Sequence, residues 1–96
     1  MTSKQRAYLR SLANSLEPIL HVGKGGQSDA MCKQADDALT ARELIKGKVL
    51  ETAPETVRET AETIAAAVNA QVVQVIGRTF VLYRAIPKEP QIRLPK

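Results

Sequence analysis

The sequence contains no tryptophan, one phenylalanine, two tyrosines, one cysteine and one histidine. A lone cysteine excludes an internal disulfide and a cysteine-based metal site. No nucleophile–base pair, carboxylate pair or ligand cluster stands out, so we expect neither enzymatic activity nor a cofactor or metal. His21 in a strand is more typical of a packed or exposed residue than of a catalytic one, and Cys32 of a small core residue. The core must therefore be built from alanine and aliphatic side chains.

Long apolar runs are also missing, and the polar N-terminal residues 1–6 lack the apolar centre of a signal peptide. These absences favour a cytoplasmic protein that does not enter a membrane. The 96 residues, of which 44% are apolar, suit one small domain. We assign that domain to residues 1–85, and residues 86–96, with three prolines, to an extended tail.

The formal net charge is +4, and the basic residues are unevenly distributed. Residues 51–70 hold four glutamates and one arginine, whereas the segments on either side are basic. A basic face opposite an acidic back suits a polyanion such as nucleic acid. Ordinary scatter of charges along the chain would give a similar pattern and stays open as the alternative.

A glycine-rich stretch, His21-Val-Gly-Lys-Gly-Gly-Gln-Ser-Asp29, joins an apolar run to a helical pattern. A strand, a glycine loop and a helix N-terminus in succession can bind a phosphate, because the first helical turn offers free N–H groups. The pattern Gly23-x-x-Gly26 is the one with which KH modules clamp a nucleic-acid backbone. The spacing excludes a P-loop and a dinucleotide fingerprint. On four residues alone, a purely structural turn is equally well supported.

Hydrophobic periodicity and turn signals predict the element order α-β-α-β-α-β-β. The predicted helices cover residues 2–15 and 28–41 and a segment that begins at the capping box Thr52-x-x-Glu55; the predicted strands cover residues 19–22, 42–50, 71–76 and 79–84. The last two strands form a hairpin at Gly77-Arg78 and are apolar on both faces. We therefore predict a four-stranded mixed sheet with three helices shared between its two faces.

Several cations accompany the glycine loop in this scheme. Lys46 and Lys48 share one face of the second strand, and Lys33 lies near the start of the second helix. Lys4, Arg6 and Arg10 lie off the apolar stripe of the first helix, where they either contact RNA phosphates or form a solvated face. The outer face of the third helix is acidic, which places it away from nucleic acid.

Four segments together resemble a known family: residues 4–13, 21–26, 42–46 and 73–84. They are similar to the CRM domain (chloroplast RNA splicing and ribosome maturation), in its stand-alone bacterial YhbY-like form. The resemblance spans residues 3 to 85. It implies a compact α/β fold similar to the C-terminal domain of bacterial translation initiation factor three, and a G-x-x-G loop that binds structured RNA.

The resemblance further implies a non-catalytic protein that binds rRNA in precursors of the large ribosomal subunit and assists its assembly, and we expect a monomer. By position, the loop corresponds to Gly23, Lys24, Gly25 and Gly26. Further RNA-binding candidates, chosen for their charge, are Lys33, Lys46, Lys48, Arg78 and Arg84. The alternative is a protein–protein interaction module on the ribosome in which the glycine loop is only structural.

Overall fold

The computed structural model describes residues 2–26, 28–85 and 92. Its elements are α1 (Ser3–Ala13), β1 (Leu20–Val22), α2 (Asp29–Arg42), β2 (Leu44–Val49), α3 (Val57–Val68), β3 (Gln71–Ile76) and β4 (Thr79–Tyr83). The predicted order and the predicted number of helices and strands are confirmed. The predicted extended tail, residues 86–96, lies outside the described residues except for Ile92.

The four strands form one mixed sheet in the order β1-β2-β4-β3. The β1–β2 pair is parallel, and the other two pairs are antiparallel. Parallel pairing brings the C-terminal ends of β1 and β2 to the same edge of the sheet. The β3–β4 hairpin turn lies at this edge too, because the amide of Val49 donates to the carbonyl of Arg78 over 2.7 Å. We call this edge the loop edge.

Helices α2 and α3 cover one face of the sheet, and α1 covers part of the other. The larger core cluster, beneath α2 and α3, includes Leu20, Val22, Leu39, Ile45, Val49, Ile64, Phe80 and Leu82. The smaller cluster, beneath α1, consists of Leu9, Ala13, Leu44, Val73, Val81 and Tyr83. The alternating apolar side chains of β4 thus serve both cores, as the two-faced pattern of the hairpin predicts.

The start of α3 differs from the prediction. Its N-cap is Thr56, which forms a reciprocal capping box with Glu59, and the predicted box of Thr52 and Glu55 is not formed. The chain needs those residues for a turn after β2, in which the Ala53 amide donates to the Leu50 carbonyl over 3.0 Å. Two capping-box patterns stand four residues apart in this sequence, and periodicity alone does not distinguish them.

The junction between α2 and β2 contains a buried acidic residue. Glu43 is fully buried and has φ of 64°, so the helix ends at Arg42 and the strand begins at Leu44. Its carbonyl accepts from the Arg84 amide over 2.9 Å, and its carboxylate accepts from the Ile92 amide over 3.4 Å. Ile92 packs against the smaller core cluster. The C-terminal region therefore contacts the folded body at this residue.

Arg6 has a structural role that differs from the predicted basic outer face. Its guanidinium donates to the carbonyl oxygens of Val72 and Val73 over 2.8 and 2.7 Å. These carbonyls lie at a register irregularity of β3, between Val72 and Gln74, on an edge strand of the sheet. A long side chain over a bulge satisfies acceptors that the ladder leaves unpaired and blunts the exposed edge.

Gly47 should be essential for the packing of the sheet. A Cβ at this position would overlap the Cζ atom of Phe80 and lie 2.7 and 2.8 Å from its Cε1 and Cε2 atoms. Because the Phe80 ring is fully buried, we expect Gly47→Ala to lower the free energy of unfolding by about 1–3 kcal/mol or more. Urea denaturation measures this change.

Phe80→Leu supplies the test of the cause. If the ring is the obstacle, the loss in Gly47→Ala/Phe80→Leu is smaller than the sum of the single losses, as expected for residues in contact. Additive losses would contradict the clash.

Candidate nucleic-acid interface

The glycine loop connects β1 to α2 at the loop edge of the sheet. A tight turn spans residues 23–26, in which the amide of Gly26 donates to the carbonyl of Gly23 over 2.9 Å. Lys24 and Gly25 are exposed at its tip, and Gly23 and Gly26 are half-buried. The loop is therefore accessible to a ligand from solvent.

The glycines of the loop differ in whether the fold requires them. Gly26 has φ of 68°, and a Cβ there would lie 3.2 Å from Cγ of Pro54, so a side chain is unfavourable on both grounds. A Cβ on Gly25, by contrast, would lie within 4 Å of no atom of the described residues. A Cβ on Gly23 would make ordinary contacts, 3.6 Å from Cδ1 of Leu50. The protein's own packing explains one of the three glycines.

The loop and the start of α2 both offer backbone donors. Ser28 caps the helix, its hydroxyl accepting from the amide of Met31 over 3.2 Å. Within the described residues, the amides of Lys24 and Gly25 have no acceptor. N–H groups at a helix start carry a partial positive charge that favours anions. Asp29 in the first turn of α2 offsets part of it.

Lys48 and Lys46 lie on the face of β2 that points away from α2 and α3. Lys48 pairs in register with His21 of β1, and both side chains are exposed. Since β1 leads directly into the loop, Lys48 lies close to the end of the strand from which the loop departs. Lys46 is two residues further back and half-buried. The structure thus brings Lys48 to the loop end of this sheet face. Lys46 lies on the same face but nearer its middle, where its carbonyl accepts from the Ile19 amide.

Acidic groups approach the loop from the opposite side. A Cβ on Gly26 would lie 3.7 Å from Oε1 of Glu55. Glu51 pairs with Arg78 over 3.1 Å, with the two side chains 81% and 51% exposed. Neither glutamate lies on α3. The prediction that the acidic segment 51–70 lies opposite the basic face is therefore wrong for these two residues. A polyanion is repelled from the Glu55 side and attracted toward Lys48.

Two other predicted candidates have partners of their own. Lys33, on the second turn of α2, lies 3.9 Å from Asp37, and both side chains are largely exposed. Exposed pairs such as Lys33–Asp37 and Arg78–Glu51 contribute little stability and open easily in the presence of a stronger anion. Both cations therefore remain available for binding.

Arg84 lies at the sheet edge opposite the loop, because the end of β4 pairs with the start of β2. Its side chain is 22% exposed and joins the α2 and α3 segments. The guanidinium donates to Oδ1 of Asp36 over 2.6 Å, to the carbonyl of Val68 over 2.8 Å, to the carbonyl of Asp36 over 3.0 Å and to the hydroxyl of Thr40 over 2.9 Å. The donors of the guanidinium are therefore used within the protein, and Arg84 does not lie beside the loop.

The remaining reactive side chains offer little chemistry. Burial raises the pKa of the Cys32 thiol, and the nearby Asp29 carboxylate raises it further, so the thiol is protonated at neutral pH. Across the described ranges, no group of three or more His, Cys, Asp or Glu side chains is placed to hold a metal ion. None of the helices in those ranges has the length and apolar character needed to cross a membrane.

The fold and the loop define a small α/β domain that presents a G-x-x-G turn and lysines at one edge of a mixed sheet. The CRS1 / YhbY (CRM) domain model matches residues 1–84. The chain belongs to this family, as the four sequence segments suggested.

Relatives of the chain carry names that refer to RNA. It is 47% identical over 95 residues to the Bacillus subtilis protein YqeI, named a probable RNA-binding protein, with 99% of each chain covered. It is 34% identical over 96 residues to a Haemophilus influenzae RNA-binding protein, covering 100% of this chain and 96% of the relative. Its fold matches the solution structure of a Staphylococcus aureus protein that is described as a candidate RNA-binding protein. The TM-score is 0.82, with 46% identity and 99% of each chain covered.

Arg84 should contribute to stability through its hydrogen bonds. Hydrogen bonds to charged groups contribute about 1.5–3 kcal/mol each, and removal leaves acceptors unpaired, so we expect Arg84→Ala to lower the free energy of unfolding by about 2–3 kcal/mol. Arg84→Lys keeps the charge but cannot bond several acceptors in a planar fork, and should recover only part of the loss. Urea denaturation of both variants provides the measurement, and wild-type stability of Arg84→Ala would contradict this role.

Proposed function

We propose that this protein is a non-catalytic RNA-binding protein that binds rRNA in precursors of the large ribosomal subunit and assists assembly in the cytoplasm. The RNA backbone lies against the loop Gly23–Gly26 and the start of α2. Lys24 supplies charge at the tip, and Lys48, Lys46, Lys33 and Arg78 contribute around it. Arg84 is left out, because its guanidinium is bonded within the protein.

The observation that carries this proposal is the glycine at position 25. The described part of the fold does not need it, since a Cβ there would meet none of its atoms within 4 Å and φ is not in the left-handed region. Glycine in the middle of a loop also costs conformational entropy on folding. A glycine that the protein's own packing does not require suits a position where a ligand comes close to the backbone.

Recognition in this arrangement depends on the backbone and shape of the RNA. Base stacking needs exposed aromatic rings, but Phe80 is fully buried and Tyr83 nearly so. Tyr8, on α1 and 39% exposed, is therefore the one aromatic ring of the three that a base could reach. Main-chain donors, ammonium groups and the helix N-terminus instead bind phosphate oxygens without regard to base identity. The resemblance to family members found with large-subunit precursors supports rRNA as the partner.

Gly25→Ala separates a ligand-contact role from a structural one. We expect the free energy of unfolding to remain within about 0.5 kcal/mol of wild type or to rise slightly, because the added methyl group has free space and restricts the unfolded chain. Affinity for in vitro transcribed large-subunit rRNA should fall about threefold or more, since the methyl group holds the backbone away from the phosphate. Gly26→Ala is the contrasting variant and should lose stability.

Unchanged rRNA affinity in a stable Gly25→Ala protein would argue that the loop is only a turn. Filter binding and urea denaturation on the same preparation measure the two quantities.

Lys24→Gln tests the charge at the tip. Loss of one phosphate contact should reduce the slope of log affinity against log salt by about 0.7–0.9. Arg58→Gln is the matched control, because it removes one positive charge from the outer side of α3, where Arg58 pairs with Glu62 over 3.7 Å. If both variants change the slope equally, only net charge matters and the loop is not the site.

The interaction-module alternative predicts a different pattern. Purified protein would then bind large-subunit precursor particles but not naked rRNA, and both loop variants would bind particles as wild type does.

A further inference from the structure

We propose, building on the RNA-binding function above, that the part of the sheet left uncovered by α1 is a second RNA contact surface. It consists of four side chains, one from each strand, at the end of the sheet beside the loop. In register order they are His21, Lys48, Thr79 and Ile76. We call this set the open row. It adds His21, Thr79 and Ile76 to the contacts considered so far. It also extends the RNA contacts across the sheet to the outer strand, β3.

The open row follows from where α1 lies. The face beneath α1 is buried at Leu44, Val81 and Tyr83, toward the edge opposite the loop. Toward the loop edge the same face is open: His21 and Lys48 are exposed, Thr79 is half-buried and Ile76 is 59% exposed. Three strand spacings of about 4.8 Å make the row about 14 Å wide.

The chemistry of the row suits an RNA backbone. Lys48 supplies a full positive charge, His21 and Thr79 supply hydrogen-bonding groups, and no carboxylate stands in the row. Ile76 offers an aliphatic surface of the kind that packs against sugar. An uncovered sheet face of this composition is complementary to a polyanion with apolar riboses.

Continuity with the loop selects RNA over other occupants. His21 lies two residues before Gly23, and Lys48 pairs in register with His21. An RNA strand that is bound at the loop and repelled by Glu55 is therefore directed onto the row. Lys46 borders the row on the side of α1. An RNA backbone that contacts the loop can therefore cross β2 and β4 and reach Ile76 without meeting a covered part of the sheet.

Ile76 supplies the decisive test, because it is the row residue furthest from the loop along the sheet and lies outside both core clusters. We expect Ile76→Glu to weaken binding of in vitro transcribed large-subunit rRNA about fivefold at about 0.1 M salt, and Ile76→Lys to strengthen it about twofold or more. Opposite signs at one position cannot arise from loss of folding. The matched controls, Ala66→Glu and Ala66→Lys, make the same charge changes at an exposed residue of α3 and should alter affinity by less than about twofold.

The outcomes are distinguishable. If both Ile76 variants behave like the Ala66 variants while Lys24→Gln still weakens binding, RNA uses the loop alone and the open row is wrong. If Lys24→Gln is also silent, the proposed function fails with it. If Ile76→Glu impairs binding to precursor particles but not to naked rRNA, the row binds a protein, which also overturns this inference.

Discussion

The parallel pairing of β1 with β2 is the constraint on which the rest of the structure depends. It is the one parallel pair in the described sheet, and it requires a crossover between two neighbouring strands, which α2 supplies. The crossover places a helix N-terminus directly after a strand end. That arrangement brings the loop, the start of α2 and Lys48 to one edge. An antiparallel β1 would direct the loop to the edge occupied by Arg84.

Much of this fold could be predicted because local and global signals agree. The alternation of Ile45, Gly47 and Val49 against Lys46 and Lys48 identifies the two faces of β2 without any structure. The start of α1 is marked by the pattern Thr2-x-x-Gln5, and its capping box is formed. The failed capping box at Thr52 shows the limit, since the turn under the loop is fixed by packing against distant residues.

The site was less predictable, because charge along the sequence does not reveal partners in space. Glu55 belongs to an acidic segment assigned to the back of the molecule, yet its carboxylate lies beside Gly26. Arg6 and Arg84 lie at positions that a periodic pattern leaves on the surface, yet both bind backbone carbonyls far along the chain. Which glycine serves the fold and which is free to serve a ligand also depends on contacts such as that with Pro54.

The cations of this domain divide according to the acceptors within their reach. A guanidinium carries five donors in a planar fork and satisfies several carbonyls at once, so Arg6 and Arg84 hold together segments that are distant in the sequence. An ammonium on a flexible chain gains less from such fixed acceptors and stays hydrated. Lys24 accordingly lies exposed at the tip of the loop, and Lys48 lies exposed near the end of β2. A mobile phosphate backbone can replace water around an ammonium without breaking the fold, whereas recruiting Arg84 would cost the contacts that join α2, α3 and β4.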